Sequence, residues 1–210
     1  MNVFASAPAN IALIKYMGKT DVLSNRPTNS SLSWTLGHLQ TFVRITALPV
    51  EAHEDQWAPL LIQGAAPFEM SDKGRERFLR HFKNLKDRFQ IKESFLIESA
   101  NNFPSDCGLA SSASSFAALT KAAIELFVKI DIKNEEHLSQ SSMAEFSRLG
   151  SGSSCRSFFE PWALWFSEGV KPLEFPYMNL YHQVVVVESS KKKVSSSEAH
   201  RRVVSSPLFH

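Results

Sequence analysis

The 210 residues, 43% apolar and 21% charged, are those of a folded globular chain with room for one substantial α/β domain or somewhat more; they exclude a disordered segment and a miniprotein dependent on covalent staples. A formal net charge of +2 is too small to argue for a nucleic-acid partner. Lys191, Lys192, Lys193, Arg201 and Arg202 do crowd positive charge near the C-terminus, where a solvated face and an anion-binding role stand level. Cys107 and Cys155 form no CxxC pair, so neither a disulfide framework nor a zinc site is expected. No signal-type apolar run follows a basic start, and no apolar stretch approaches membrane-spanning length, so a soluble, cytoplasmic protein without a membrane partner is expected.

In chain order, residues 3–7 and 10–17 are short apolar runs broken by Pro8, and "SLSWTL" followed by "QTFVRITAL" alternates with Val43, Ile45 and Ala47 on one face, so the first quarter is mainly strand. Ser71 caps a predicted helix whose Phe78, Phe82, Leu85 and Phe89 recur at helical spacing and cover a sheet. "SFLIES" reads as a strand. The loop "FPSDCGLASSASS" then leads into a helix over about 112–129, striped by Phe116, Ala117, Ile124, Phe127 and Val128. Asn134 is placed to cap the next helix, with Glu135 and Glu136 in its first turn and Gly150 at its end. A second glycine-serine loop, "GSGSSCRS", follows; "PWALWF" and "HQVVVVES" resemble buried strands, and "SSSEAHRRVV" starts a last helix. There is no internal repeat or low-complexity linker.

Three segments carry candidate chemistry. The amides at the start of the helix after Leu109 suit a phosphate, with Gly108 and Ala110 permitting close approach and Ser111 and Ser112 adding hydroxyls. A plain N-cap built of small residues is the competing reading, since the loop is neither a GxxxxGK[ST] nor a GxGxxG motif. In "GSGSSCRS", Ser151, Ser153 and Arg156 can grip an oxyanion in a fork that lysine cannot copy; a surface turn with an exposed arginine explains the same residues. In "NIALIKYMGK", Lys15 and Lys19 stand beside Asn10 and Tyr16, and Lys15 is expected to be partly buried and to need an anion, either a ligand or an acidic side chain.

Taken together, "APANIALIKYMGK", "PTNSSLSWTL", "NNFPSDCGLASSAS", "GSGSSCRS" and "KKKVSSSEAH" with "SSPLF" resemble, in order from residue 7 to residue 209, the GHMP kinase superfamily and within it the diphosphomevalonate decarboxylase family. The resemblance implies an α/β (α+β) fold, with an N-terminal domain of the ribosomal protein S5 domain 2-like type over 1–180 and the beginning of a C-terminal domain over 181–210. It implies ATP and Mg²⁺ as cofactors, mevalonate 5-diphosphate as substrate, and conversion to isopentenyl diphosphate with ADP, phosphate and CO2 as the other products. A homodimer without a nucleic-acid partner is expected.

By match, Ser105, Gly108, Leu109, Ala110, Ser111 and Ser112 correspond to the ATP phosphate loop, with Ser112 near the transferred group or the metal and Lys192 in a phosphate-contacting stretch. Lys15 corresponds to the catalytic-centre lysine; Tyr16 and Lys19 would hold the substrate diphosphate, and Asn10 would order the centre. Ser151, Ser153 and Arg156 correspond to the substrate clamp, with Arg156 on the departing carboxylate. The sequence departs from the family at Met17, where tryptophan is common, at Asp106 and Cys107, where alanines are common, and at "SEAH", where a TxGM-like turn is common. The family's catalytic aspartate lies in a C-terminal motif of the form DAGPN, which these residues do not contain, so no aspartate here is assigned that role. Alternatives are a phosphotransferase of the same superfamily without decarboxylation, a non-catalytic nucleotide-binding remnant, and an S5-like RNA-binding module.

Overall fold

The computed structural model describes residues 1–21, 23–63, 69–104, 111–130, 138–177, 179–183, 185, 196–207 and 209. Its elements are β1 (Asn2–Ile14), β2 (Lys19–Asp21), β3 (Arg26–Pro27), β4 (Ser31–Ala47), β5 (Gln56–Pro59), α1 (Asp72–Phe89), β6 (Phe95–Asn101), α2 (Ser111–Ile130) and α3 (Gln140–Gly150). A 3-10 helix (Gly152–Phe158), β7 (Trp162–Phe166), β8 (Gly169–Pro172), α4 (Ser196–Arg202) and a short 3-10 turn (Val203–Ser205) follow.

The 17-residue β4 is the spine of a six-stranded sheet. Along one edge it pairs with β1 over nearly its whole length; its other edge is shared, Thr41–Ala47 pairing with β6 and Ser31–Trp34 with β7. β5 adds to β6 in parallel and β8 to β7 in antiparallel sense. The alternation expected of β4 is observed, with Val43 and Ile45 buried in the main core beside Phe95 and Ile97 of β6. On the opposite face Arg44 and Glu98 pair at 2.7 Å and Phe4 stacks on Phe42. One face is therefore covered by helices, and α2 packs against both β1 and β4.

α2 is alanine-rich on the buried positions, which lets a helix lie close on the sheet, while α1 supplies Phe78, Phe82 and Leu85, each contributing roughly 2 kcal/mol by burial. Ser71 caps α1 as expected, its Oγ accepting from Gly74 N at 3.2 Å, and Gln90 closes the helix in the left-handed region at φ 57°.

β1 does not break at Pro8. It continues through a register irregularity between Pro8 and Ala9, where Gly37, His38 and Leu39 of β4 are extra. Val3, Ala5 and Ala7 face the main core before it, but Ala9 and Ile11 join a separate cluster with Leu36 and Phe103 after it. The inward and outward positions of β1 thus exchange parity, and Asn10 turns to the side of the sheet that Ala7 occupies.

Four expectations need correction. α3 starts at Gln140, capped by Ser139, whose Oγ accepts from Ser142 N at 3.1 Å; Asn134, Glu135 and Glu136 lie outside the described residues. "GSGSSCRS" is not a surface turn but a buried 3-10 helix. In "HQVVVVES", His182, Gln183 and Val185 are exposed and belong to no strand, because no neighbouring strand pairs with them among the described residues. Lys15 is exposed rather than partly buried, because β1 ends at Ile14 and the chain leaves the sheet there.

Candidate functional site

Arg156 lies near the end of the 3-10 helix and is only 4% exposed. Its Nε and Nη2 donate to Asn10 Oδ1 at 3.3 and 3.1 Å, and its Nη1 donates to Ser31 Oγ. Asn10 Nδ2 in turn donates to Ser157 Oγ at 2.8 Å and to the Ser153 carbonyl at 3.2 Å, so the amide's orientation is fixed by both of its ends. No carboxylate pairs with Arg156 among the described residues; its neighbours are neutral, and burial pushes its pKa below the ordinary value. Each terminal nitrogen carries two N–H groups and makes one of these bonds, leaving further donors for an anion.

The local chain makes this possible through small residues. A Cβ on Gly150 would run into the Phe116 ring, and one on Gly152 would meet Tyr16 Oη at 2.6 Å. The hydroxyls of the segment satisfy the tight turn: Ser147 donates to Ser154, and Ser154 donates to the Ser151 carbonyl, both at 2.6 Å. The buried Cys155 thiol is pushed up to about 12 by burial and is no nucleophile. Ser151 is buried and Ser153 half-buried; Ser153 meets Asn10 through its carbonyl.

A column of rings extends from the guanidinium. Arg156 lies 5.9 Å from the Trp165 ring; Trp165 meets Tyr16 edge-on at 4.5 Å, and Tyr16 stacks on His200 of α4 at 4.4 Å and 16°. Burial drives the Tyr16 phenol up to about 12, so it stays protonated as a donor. Past Tyr16 the chain turns through Gly18 at φ 88°. That turn is held by Asn29, which accepts from Met17 N at 3.1 Å and donates to the Lys15 carbonyl at 3.3 Å. Lys19 Nζ donates to Asn25 Oδ1 at 2.6 Å, and Asn25 Nδ2 reaches back to the Arg148 carbonyl at 2.8 Å. Asn10, Tyr16, Ser153 and Arg156 are thus brought together, while Lys15 and Lys19 flank them on the same segment.

The first turn of α2 begins with half-buried Ser111 and exposed Ser112 and holds no acidic residue. Its position is fixed from below: Thr41 Oγ1 lies 2.6 Å from Ser114 Oγ and donates to Asn101 Oδ1 at 2.6 Å. Thr41 pairs with Ala7, and Asn10 follows three residues along β1, so the helix start and the Arg156 node stand about 10 Å apart along one strand. Ser105, Asp106, Cys107, Gly108, Leu109 and Ala110 lie outside the described residues, as do Lys191, Lys192 and Lys193. Among the described residues no cluster of three His, Cys, Asp or Glu offers a metal centre, and no helix is long and apolar enough to cross a membrane.

Sequence reasoning assigned no role to Ser31, Ser157, Gly152, Trp165 or His200. Ser31 and Ser157 sat inside quoted motifs, "PTNSSLSWTL" and "GSGSSCRS", and motif membership was their only signal. Trp165 reads as an ordinary strand residue, and no sequence signal joins it to Tyr16, 149 positions away in the numbering.

The chain is similar to known proteins over nearly its whole length. Residues 7–171 match the family model described as the diphosphomevalonate decarboxylase-like N-terminal domain. The diphosphomevalonate decarboxylase of Ganoderma lucidum is 35% identical over 98% of this chain and 54% of its own length. A crystal structure of a mevalonate diphosphate decarboxylase from Legionella pneumophila is 50% identical with a TM-score of 0.88, over 100% of this chain and 65% of that one. A structure of a protein called MDDEF in complex with MVAPP, AMPPCP and magnesium is 27% identical with a TM-score of 0.76, over 97% of this chain and 61% of that one. The chain spans about half the length of the curated relatives it matches.

Proposed function

The chain belongs to the diphosphomevalonate decarboxylase-like family through its N-terminal domain, and from that premise we propose that it serves the ATP-dependent decarboxylation of mevalonate 5-diphosphate to isopentenyl diphosphate, ADP, phosphate and CO2. The observation that carries the reading is Arg156: a buried guanidinium with neutral partners, oriented by Asn10 and Ser31 and lacking a counter-ion among the described residues. A buried cation held in one orientation without an acid suits a ligand carboxylate, because the charge pairing is completed only on binding.

Arg156 fixes the carboxylate so that, when the 3-oxygen leaves with its phosphate, the C1–C2 bonding pair can become the C2–C3 double bond and release CO2. Holding that bond in line is a positioning effect as much as a charge effect. Tyr16 donates a hydrogen bond, and Lys15 and Lys19 supply positive charge to the diphosphate; Ser151 and Ser153 complete the clamp. ATP with Mg²⁺ would supply the phosphoryl group that turns the 3-hydroxyl into a leaving group. Ser105, Gly108, Leu109, Ala110, Ser111, Ser112 and Lys192 would hold it, with Ser112 toward the metal. The first turn of α2 fits this role, having an exposed serine at 112 and no carboxylate to repel phosphate.

The same proposal includes a cytoplasmic setting, a homodimer, no nucleic-acid partner, and a second domain beginning near residue 181; the family match ending at residue 171 supports that boundary, and the near-neutral charge supports the exclusion of nucleic acid. The test is calorimetric titration with mevalonate 5-diphosphate, followed by a coupled assay of ADP and CO2. Arg156→Gln should lose substrate affinity and turnover far more than affinity for an ATP analogue; equal losses in both would count against the role. ADP formation without CO2 would move the chain to the phosphotransferase reading.

A further inference from the structure

We propose that His200 is a positioning residue of the substrate site, closing the Arg156–Trp165–Tyr16 column with its ring and holding the Gly18 turn with its Nδ1. The inference rests on the functional reading above and extends it to α4, an element that carries none of the expected site residues. His200 is 8% exposed, stacks nearly parallel on Tyr16, and accepts from Gly18 N at 3.1 Å. Accepting at Nδ1 requires the proton to sit on Nε2, so the ring must be neutral. Its surroundings favour that state, first through burial and then because Lys19 and Lys15 approach from the turn; the Tyr16 phenol is neutral, and on its own helix Glu198 pairs with Arg202 at 2.9 Å.

Gly18 sits between Tyr16 and Lys19, and the left-handed turn is also held at its neighbours by Asn29 and Thr28 and packed by Phe209, while the Gly18 amide itself is bonded by His200. Losing the Nδ1 acceptor frees the Gly18 amide, which lies between Tyr16 and Lys19. Losing the ring frees the outer face of Tyr16 and lets the phenol tilt away from Trp165.

The test pairs amide hydrogen exchange at Gly18 with affinity for mevalonate 5-diphosphate. His200→Phe keeps a ring and removes the acceptor: Gly18 protection should be lost and affinity should fall about fivefold, the worth of one net hydrogen bond. His200→Asn, with an acceptor near the Nδ1 position and no ring, should keep Gly18 protected and recover part of the affinity lost in His200→Phe, a recovery that a merely structural role would not produce. It also decides the question if His200→Phe fails to fold, because unprotected Gly18 in a folded His200→Asn overturns the role. Gly18 exchange unchanged in His200→Phe overturns it as well. A wild-type chain with no affinity for mevalonate 5-diphosphate overturns the functional reading, whereas a wild type that binds and a folded His200→Phe that binds equally well overturn the positioning role alone, so the two failures are distinct.

Discussion

Asn10→Asp tests the counter-ion argument by supplying the missing anion from within. The Asn10 Oδ1 already receives two guanidinium N–H groups at 3.1 and 3.3 Å, so a carboxylate of nearly the same shape places a charge there without moving the backbone. At a charge separation of ~4 Å and an effective dielectric of ~20, the new pair gains about 4 kcal/mol. Against this stand the desolvation of the carboxylate and the loss of the Asn10 Nδ2 bonds to Ser157 Oγ and the Ser153 carbonyl, at about 1 kcal/mol each. Ser157 can still donate to the new carboxylate, but the Ser153 carbonyl cannot. The two sides nearly cancel, and urea denaturation should show a stability change within about 2 kcal/mol of zero. Binding should behave differently. A substrate carboxylate now meets a neutralised guanidinium and an adjacent negative charge, and losing an interaction of about 4 kcal/mol lowers affinity about 10³-fold. An Asn10→Asp protein that binds mevalonate 5-diphosphate as well as the wild type would refute Arg156 as the carboxylate receptor.

Three further outcomes follow from other parts of the structure. His81 is 3% exposed, lies 3.0 Å from Thr120 Oγ1, has no hydrogen-bond partner at Nδ1 among the described residues, and is pushed down to about 3 by burial and then by Arg77. A folded pKa below the unfolded ~6.5 means that the unfolded chain binds the extra proton, so the stability is full above pH ~6.5 and is lost as pH falls. From neutrality to about pH 4 the loss is about 3 kcal/mol. His81→Leu should flatten the urea-derived stability curve by that amount, and parallel curves would remove the argument. Gly152→Ala drives a methyl to 2.6 Å from Tyr16 Oη and 3.2 Å from Trp165 Cη2, at a cost of about 1–3 kcal/mol and with a changed near-ultraviolet spectrum; a melting temperature at or above wild type would show that the contact yields freely. Asp55→Ala strands Lys86, whose Nζ donates to Asp55 at 2.9 and 3.0 Å beneath 11% side-chain exposure, and removes the acceptor for Phe95 N. The expected loss is about 3–5 kcal/mol in urea, and a loss below 1 kcal/mol would mean that the ammonium reaches water when released.

What was legible in the sequence was whatever depends on short-range period. The stripe Phe78, Phe82, Leu85 and Phe89 specified α1 and its core face, Ser71 its start, and the alternation of Val43 and Ile45 the inward face of β4. The site segments were legible as motifs, and Asn10, Tyr16, Ser153 and Arg156 do meet. Their environment was not. An arginine among serines reads as solvent-exposed, since serine carries no signal of burial, whereas here Ser147, Ser154 and Ser157 satisfy one another and their neighbours inside the core. The apolar run containing Ile11, Ile14 and Tyr16 suggested that Lys15 was partly buried, but burial at Lys15 depends on where β1 parts from β4, which periodicity does not encode. Val185 departs from its strand reading for a related reason: a β-prone residue joins a strand only where a partner edge is offered, and Val185 is 72% exposed, while Val184, Val186 and Val187 lie outside the described residues.

The dipeptide Asn101–Asn102 links the two halves of the site, and neither residue touches the proposed substrate. Asn101 accepts from Thr41 beneath Ser114 and so fixes where the first turn of α2 stands. Asn102 Nδ2 donates to the His38 carbonyl at 2.9 Å and its Oδ1 accepts from Gln40 N at 2.7 Å, which pins the extra residues of β4. Those residues produce the register change at Pro8 and Ala9, and that change turns Asn10 toward Arg156. Without it, strict alternation would put Asn10 on the face opposite Ala7 and leave the guanidinium without its orienting amide. The proposed phosphate end is thus set by one asparagine and the proposed carboxylate end by the next, through a strand defect, so the separation of the two ends traces to a single peptide unit at the end of β6. A site that must hold a donor and an acceptor in line requires such a common origin, because errors accumulated along two independent loops would exceed the ångström tolerance of in-line transfer.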